Sequence, residues 1–121
     1  MIERFYGVLI PANPFAECRY RTLAVDLMRE ALDCNLLEFI YPHQVHPVLN
    51  DGVSYVMVGD EEARLKSPHQ LNFRATLLFG YPYLLAGDMF LLRDSDDGLR
   101  SIGAPLLARF RKSIIQEGYY E

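Results

Sequence analysis

Apolar residues fall in short blocks along this chain, and the spacing within each block assigns it to a strand or a helix. Phe5 to Ile10 is apolar at both alternating sets of positions, as in a strand covered on two faces. Asn13-Pro14 then offers a cap and a first-turn proline. Tyr20, Leu23, Ala24, Leu27, Met28 and Ala31 follow at three-to-four spacing, which predicts a helix running to about Asp33.

Leu36 to Tyr41 predicts a second strand. If it lies parallel to the first, the intervening helix makes a right-handed crossover. Asn50-Asp51-Gly52 is a turn signal, and Val53 to Val58 predicts a third strand, antiparallel to the second, ending in Asp60-Glu61-Glu62. Asn72 caps a short helix through Phe73, Ala75, Thr76 and Leu78; Gly80-Tyr81-Pro82 breaks it, and Met89 to Leu92 forms a fourth strand. A last helix is expected over about 103–117, with Leu106, Leu107, Phe110, Ile114 and Ile115 on one side. The sum is an α+β chain, a single compact domain over 1–121. Its sheet is expected to be mixed, with about four strands and helices packed on it, in the order β-α-β-β-short α-β-α.

Length and composition agree with that fold. A chain of 121 residues buries roughly two thirds of its unfolded surface, and 50% hydrophobic with 23% charged is the make-up of an ordinary globular domain. Sixteen acidic residues against 12 basic give a net charge of −4, which weakens a whole-surface attraction to nucleic acid. The same balance is too dilute for mimicry of DNA by a one-sided acidic field. The start, Met1 to Pro11, lacks the basic and long apolar stretches of a secretory signal, and no apolar run approaches a membrane span. The expected location is the cytosol. Cys18 and Cys34 fall at opposite ends of the predicted helix, too far apart to bridge, so free thiols are expected.

Reaction motifs are wanting. His43 and His46 share a proline-flanked loop without the further ligands that zinc requires, and a solvated loop is the commoner outcome. Asp60-Glu61-Glu62 reads first as a solvated strand end, because acid–base work needs environments that separate two pKa values. Neither a nucleophile elbow nor a phosphate-cradling glycine loop occurs. No catalytic residue, metal ligand or cofactor is assigned.

The candidate contact residues are Glu38, Asn72, Arg74, Tyr81, Tyr83, Arg109, Phe110 and Tyr119. Glu38 sits in an apolar strand and is either exposed on an edge, the commoner case, or buried against a partner such as Arg74. Asn72 is favoured as a helix cap over a ligand group. The eight tyrosines and seven phenylalanines include Tyr81, Tyr83, Tyr119 and Tyr120 near a break or terminus, where aromatic rings serve interfaces. With Arg100, Arg109 and Arg111, they suggest a protein-contact surface around the last helix. That helix is apolar enough for self-association, with a dimer the first expectation.

The strand at Leu37-Glu38, the run Met57-Val58-Gly59-Asp60-Glu61-Glu62, the segment Leu71-Asn72-Phe73-Arg74-Ala75 and the entry Ala86-Gly87-Asp88 resemble a family. It is an uncharacterised family of small proteins encoded by bacteriophages and mobile elements, and the resemblance covers about Leu36 to Leu92. The chain departs from it at Gly59-Asp60, where Asn is usual, and in the added last helix. The resemblance implies an accessory protein in the host cytosol that binds a host factor in takeover or counter-defence, and it transfers no catalytic residue. The alternative is a protein that sequesters a small signalling molecule, a nucleotide-like one held by Asn72, Arg74 and tyrosines. A third reading, a hydrolase using Glu38 or Glu61, requires carboxylates converging in a cleft.

Overall fold

The computed structural model describes residues 4–24, 28–44, 46–65, 70–96, 98–102 and 106. Its centre is the pair of strands β4, Tyr55–Asp60, and β7, Met89–Ser95. Both carry near-continuous apolar runs because both of their faces are buried. Tyr55, Met57, Met89 and Leu91 enter one core cluster, whereas Val56, Val58, Phe90 and Leu92 enter another. These clusters lie on opposite faces of one antiparallel sheet.

The sheet runs in the order β2-β1-β7-β4-β3, with β1 at Arg4–Ile10, β2 at Arg19–Ala24 and β3 at Leu37–Ile40. A short strand β8, Gly98–Arg100, pairs with the end of β7. Two α-helices are described, α1, Met28–Ala31, and α2, Phe73–Phe79, together with short 3-10 turns at Pro47–Leu49 and Ala63–Leu65. The second supplies Ala75, Leu78 and Phe79 to the first cluster, while Met28 and Leu32 cover the second. A separate two-residue pair, β5 at Leu71–Asn72 with β6 at Leu85–Ala86, brackets α2. The chain is thus strand-rich with few helices.

Several expectations are corrected. Of the helix predicted from Asn13 to about Asp33, only α1, Met28–Ala31, is helical among the described residues; Arg19–Ala24 is a strand paired along its length with β1. Asn13 does cap, but it closes a turn: its side-chain oxygen accepts from Phe15 N and its carbonyl from Ala16 N. Three-to-four spacing was a property of the composition here, and pairing with a central strand outweighed it. A parallel crossover from β1 to β3 is also absent, because β7 and β4 lie between them and every described strand pair is antiparallel. The sheet is accordingly not the mixed, four-stranded one predicted.

Other expectations hold. β3 and β4 are antiparallel, Asn72 caps α2 by accepting from Ala75 N, and Gly80 ends it at φ 64°. Gly80 is required twice over, since a Cβ there would also lie 2.2 Å from the carbonyl oxygen of Gln44. Cys18 and Cys34 form no disulfide, although the helix invoked to separate them is reduced to α1. Cys18 belongs to the first cluster and Cys34 packs against the second, across the sheet. The helix expected over 103–117, and with it Arg109, Phe110 and Tyr119, lies outside the described residues except for buried Leu106. No described helix is long and apolar enough to cross a membrane.

A carboxylate and tyrosine cleft at the sheet edge

Strand alternation decides where Glu38 points. Leu37 packs on the second cluster and Ile40 belongs to the first, so Glu38 shares the face of Ile40, the side on which α2 sits. β3 is an edge strand, and Glu38 is exposed there. The antiparallel register with β4 sets Glu38 opposite Gly59 and Leu37 opposite Asp60. Beyond the register, Glu61 N donates to Leu36 O at 3.0 Å, which brings the acidic turn alongside the start of β3. Asp60 is buried, and its Oδ1 accepts from Glu62 N at 2.9 Å, turning the chain back over the cleft.

A cavity of about 190 Å³ opens between these parts, lined by Glu38, Asp60, Glu61, Arg64 and Tyr83. Ile40, Ala86 and Met89 form its apolar floor. Gly59 shapes that floor by omission, for a Cβ there would meet the sulfur of Met89 at 2.6 Å. Tyr83 is 59% exposed and packs against Tyr81 with ring centroids 5.4 Å apart and planes inclined at 58°, while the Arg64 guanidinium sits 5.8 Å from the centre of the Tyr83 ring. Tyr81 in turn donates its hydroxyl to the Tyr41 carbonyl and lies 6.0 Å from the His43 ring.

The electrostatics follow from this crowding. Partial burial, and secondarily the Glu61 carboxylate, raise the Glu38 pKa above the usual 4.5. The Tyr81 hydroxyl is raised as well, first by burial and then by Tyr83 and Glu38. The Glu38 and Glu61 carboxylates favour a cation that relieves their repulsion, and Arg64 at the Tyr83 ring already brings one positive charge to the same cavity. Among the described residues no Ser, Thr or Cys hydroxyl or thiol lines the cleft, and no group of three or more His, Cys, Asp and Glu is arranged to hold a metal.

The structure divides the predicted site residues. Glu38, Tyr81 and Tyr83 come together at this cleft. Asn72 and Arg74 instead lie in the interior. The Asn72 amide donates to Ile10 O and Gly87 O, both at 2.9 Å. Arg74, 1% exposed, donates to the carbonyls of Ala16, Pro11 and Asn13 at 2.7, 2.6 and 2.9 Å. Glu38 and Arg74 are not a pair. Asp60, Glu61 and Arg64 were not singled out as contact residues, although the strand register carries the signal: pairing Leu36–Tyr41 against Val53–Val58 through the Asn50-Asp51-Gly52 turn sets the acidic run beside Leu36.

A second cavity, also about 190 Å³, lies at the far end of β7. Arg93 and Arg100 stand there in direct cross-strand register beside Asp94. No known protein family, curated protein or solved structure matches the chain.

Proposed function

We propose that this chain is a non-enzymatic binding protein whose contact surface is the Glu38 cleft, and that its target is a host protein presenting a Lys or Arg side chain. The observation that carries the reading is the placement of Glu38, Asp60 and Glu61 around one cavity beside an exposed tyrosine. A phage or mobile-element accessory role in the host cytosol accords with this surface, and cysteines not joined in a disulfide suit that compartment.

Magnitudes determine how the surface works. One cation in an open carboxylate cleft is worth about 1 kcal/mol, and its contact with a tyrosine face adds about the same. Those terms select a partner but do not hold it. Holding requires apolar area, which exposed Leu36 supplies two residues before Glu38 and exposed Phe39 supplies on the other face of the same edge strand.

Affinity capture from host lysate with the wild-type chain and with Glu38→Lys tests the proposal. A specific host protein retained by the first and lost from the second is expected, with retention falling as salt rises. Identical captures by both proteins would refute it.

The nucleotide alternative is supported by a different observation, the Arg93 and Arg100 pair at the second cavity. Both guanidinium groups line that cavity with Asp94, so in this alternative a phosphate-bearing ligand seats on them and not in the acidic cleft. Thermal shift with a nucleotide series, repeated on Arg100→Gln, separates the two readings.

A further inference from the structure

The two edges of the sheet carry opposite charge, and the topology determines how they meet. At one edge, β3 presents Glu38 with Glu61 beside it. At the other, β2 presents Arg19 and Arg21, both exposed and without an ion pair among the described residues. Cross-strand partners share a face, so the register Leu9 with Arg19 and Gly7 with Arg21 puts both arginines on the face of Leu9, which is the second-cluster side. Glu38 is on the first-cluster side.

Four antiparallel pairings separate β2 from β3, so the two edge strands point in the same direction. Joining β2 of a second copy to β3 in antiparallel fashion therefore requires turning that copy over. Its second-cluster face then continues the first-cluster face of the first copy, and Arg19 and Arg21 arrive on the side of Glu38. Thr22, on the opposite side of β2, arrives beside exposed Phe39. Parallel joining leaves the arginines across the sheet from Glu38. Joining β3 to β3, or β2 to β2, about an axis normal to the sheet sets like charges opposite one another, which is unfavourable.

The backbone permits this addition. Glu61 N donates to Leu36 O, so in the antiparallel alternation Leu36, Glu38 and Ile40 direct their peptide groups to β4, while those of Leu37 and Phe39 point outward. Among the described residues no strand pairs with that side. We infer that β3 accepts β2 of a second copy of this chain as an additional antiparallel strand, seating Arg21 or Arg19 of the second copy against Glu38 and Glu61. The contact joins unlike edges and so does not close on itself in a dimer; it extends head to tail. It goes beyond host-protein binding and competes with it, because both use the Glu38 cleft.

Sedimentation velocity on the purified full chain, from low micromolar to near-millimolar concentration, tests the inference without any host component. The wild-type chain is expected to grow past dimer as concentration rises, and less so at high salt. Glu38→Arg has two basic edges and Arg19→Glu with Arg21→Glu has two acidic ones, so each alone is expected to associate roughly tenfold more weakly. An equimolar mixture of the two restores assembly, since every basic edge again finds an acidic one. If a reversed-charge protein fails to fold, Glu38→Gln and Arg21→Gln replace them, each expected to weaken assembly. A chain that stays monomeric throughout, or one whose association ignores both substitutions, overturns the inference; the latter outcome places self-association on another surface.

Discussion

The side-chain amide of Asn72 donates to the carbonyl of Ile10, 62 residues earlier in the chain, at 2.9 Å. The same nitrogen reaches Gly87 O, and the side-chain oxygen accepts from Ala75 N. One buried residue therefore caps α2, holds the end of β1, and anchors the turn into β7. Its backbone carbonyl also accepts from the Thr76 hydroxyl, which in turn accepts from Leu85 N. Asn72→Ala removes a cap and takes the amide's hydrogen bonds from two interior carbonyls, a loss of about 2–4 kcal/mol. Urea unfolding measures it. Asn72→Asp keeps the cap but sets an acceptor against two acceptors, and it is expected to rescue only the capping part.

Arg74 does for the turn between β1 and β2 what Asn72 does for the helix start. Its guanidinium satisfies three carbonyls from Pro11 to Ala16, in the stretch expected to be helical. A planar fork with several donors reaches all three at once, which an ammonium on a flexible stem does not. Arg74→Lys is expected to cost about 1–3 kcal/mol with no effect on capture of a partner by the Glu38 cleft. Chemical unfolding and the capture assay, run on one preparation, separate stability from binding.

Why some of this was legible in the sequence and some was not has a physical answer. β1, β3, β4 and β7 are covered on one or both faces, and their apolar runs announce them. Helix α2 carries both its signals locally, Asn72 before it and Gly80 after it. β2 carries neither. It is an edge strand whose identity comes from pairing with β1, and Tyr20, Leu23 and Ala24 happen to fit a helical period too. Glu38 was legible as a charge out of place in an apolar strand. Its company was not, because Arg64 and Tyr83 reach the cleft from segments whose meeting depends on the whole sheet.

Two glycines separate backbone demand from side-chain room. At Gly80, φ is 64° and the nearest atom to an added Cβ is a backbone oxygen, so neither strain nor contact is relieved by a rotamer change. Gly80→Ala is expected to cost about 2 kcal/mol or more. At Gly59 the nearest atom belongs to the flexible Met89 side chain. Gly59→Ala is expected to stay within about 1 kcal/mol of wild type, a small gain in backbone rigidity offsetting the shift of Met89. Paired thermal melts check the order, and the opposite ranking contradicts the packing described.

The pH dependence of stability should carry the imprint of Glu38. Its carboxyl has a raised pKa in the folded chain because burial, then Glu61, disfavour the charged form. The folded state therefore holds this proton more tightly than the unfolded chain does. The resulting stabilisation is fully present below pH 4.5, the unfolded value, and disappears as pH rises through the folded pKa. Glu38→Gln removes that slope, so its stability relative to wild type improves with rising pH across the same window. Glu61→Gln removes only the smaller cause, and it should shift the Glu38 titration part of the way down. Denaturant midpoints at closely spaced pH, with the Glu38 carboxyl carbon followed by NMR, test both. A Glu38 titration unmoved by Glu61→Gln would show that the two carboxylates do not share the cleft.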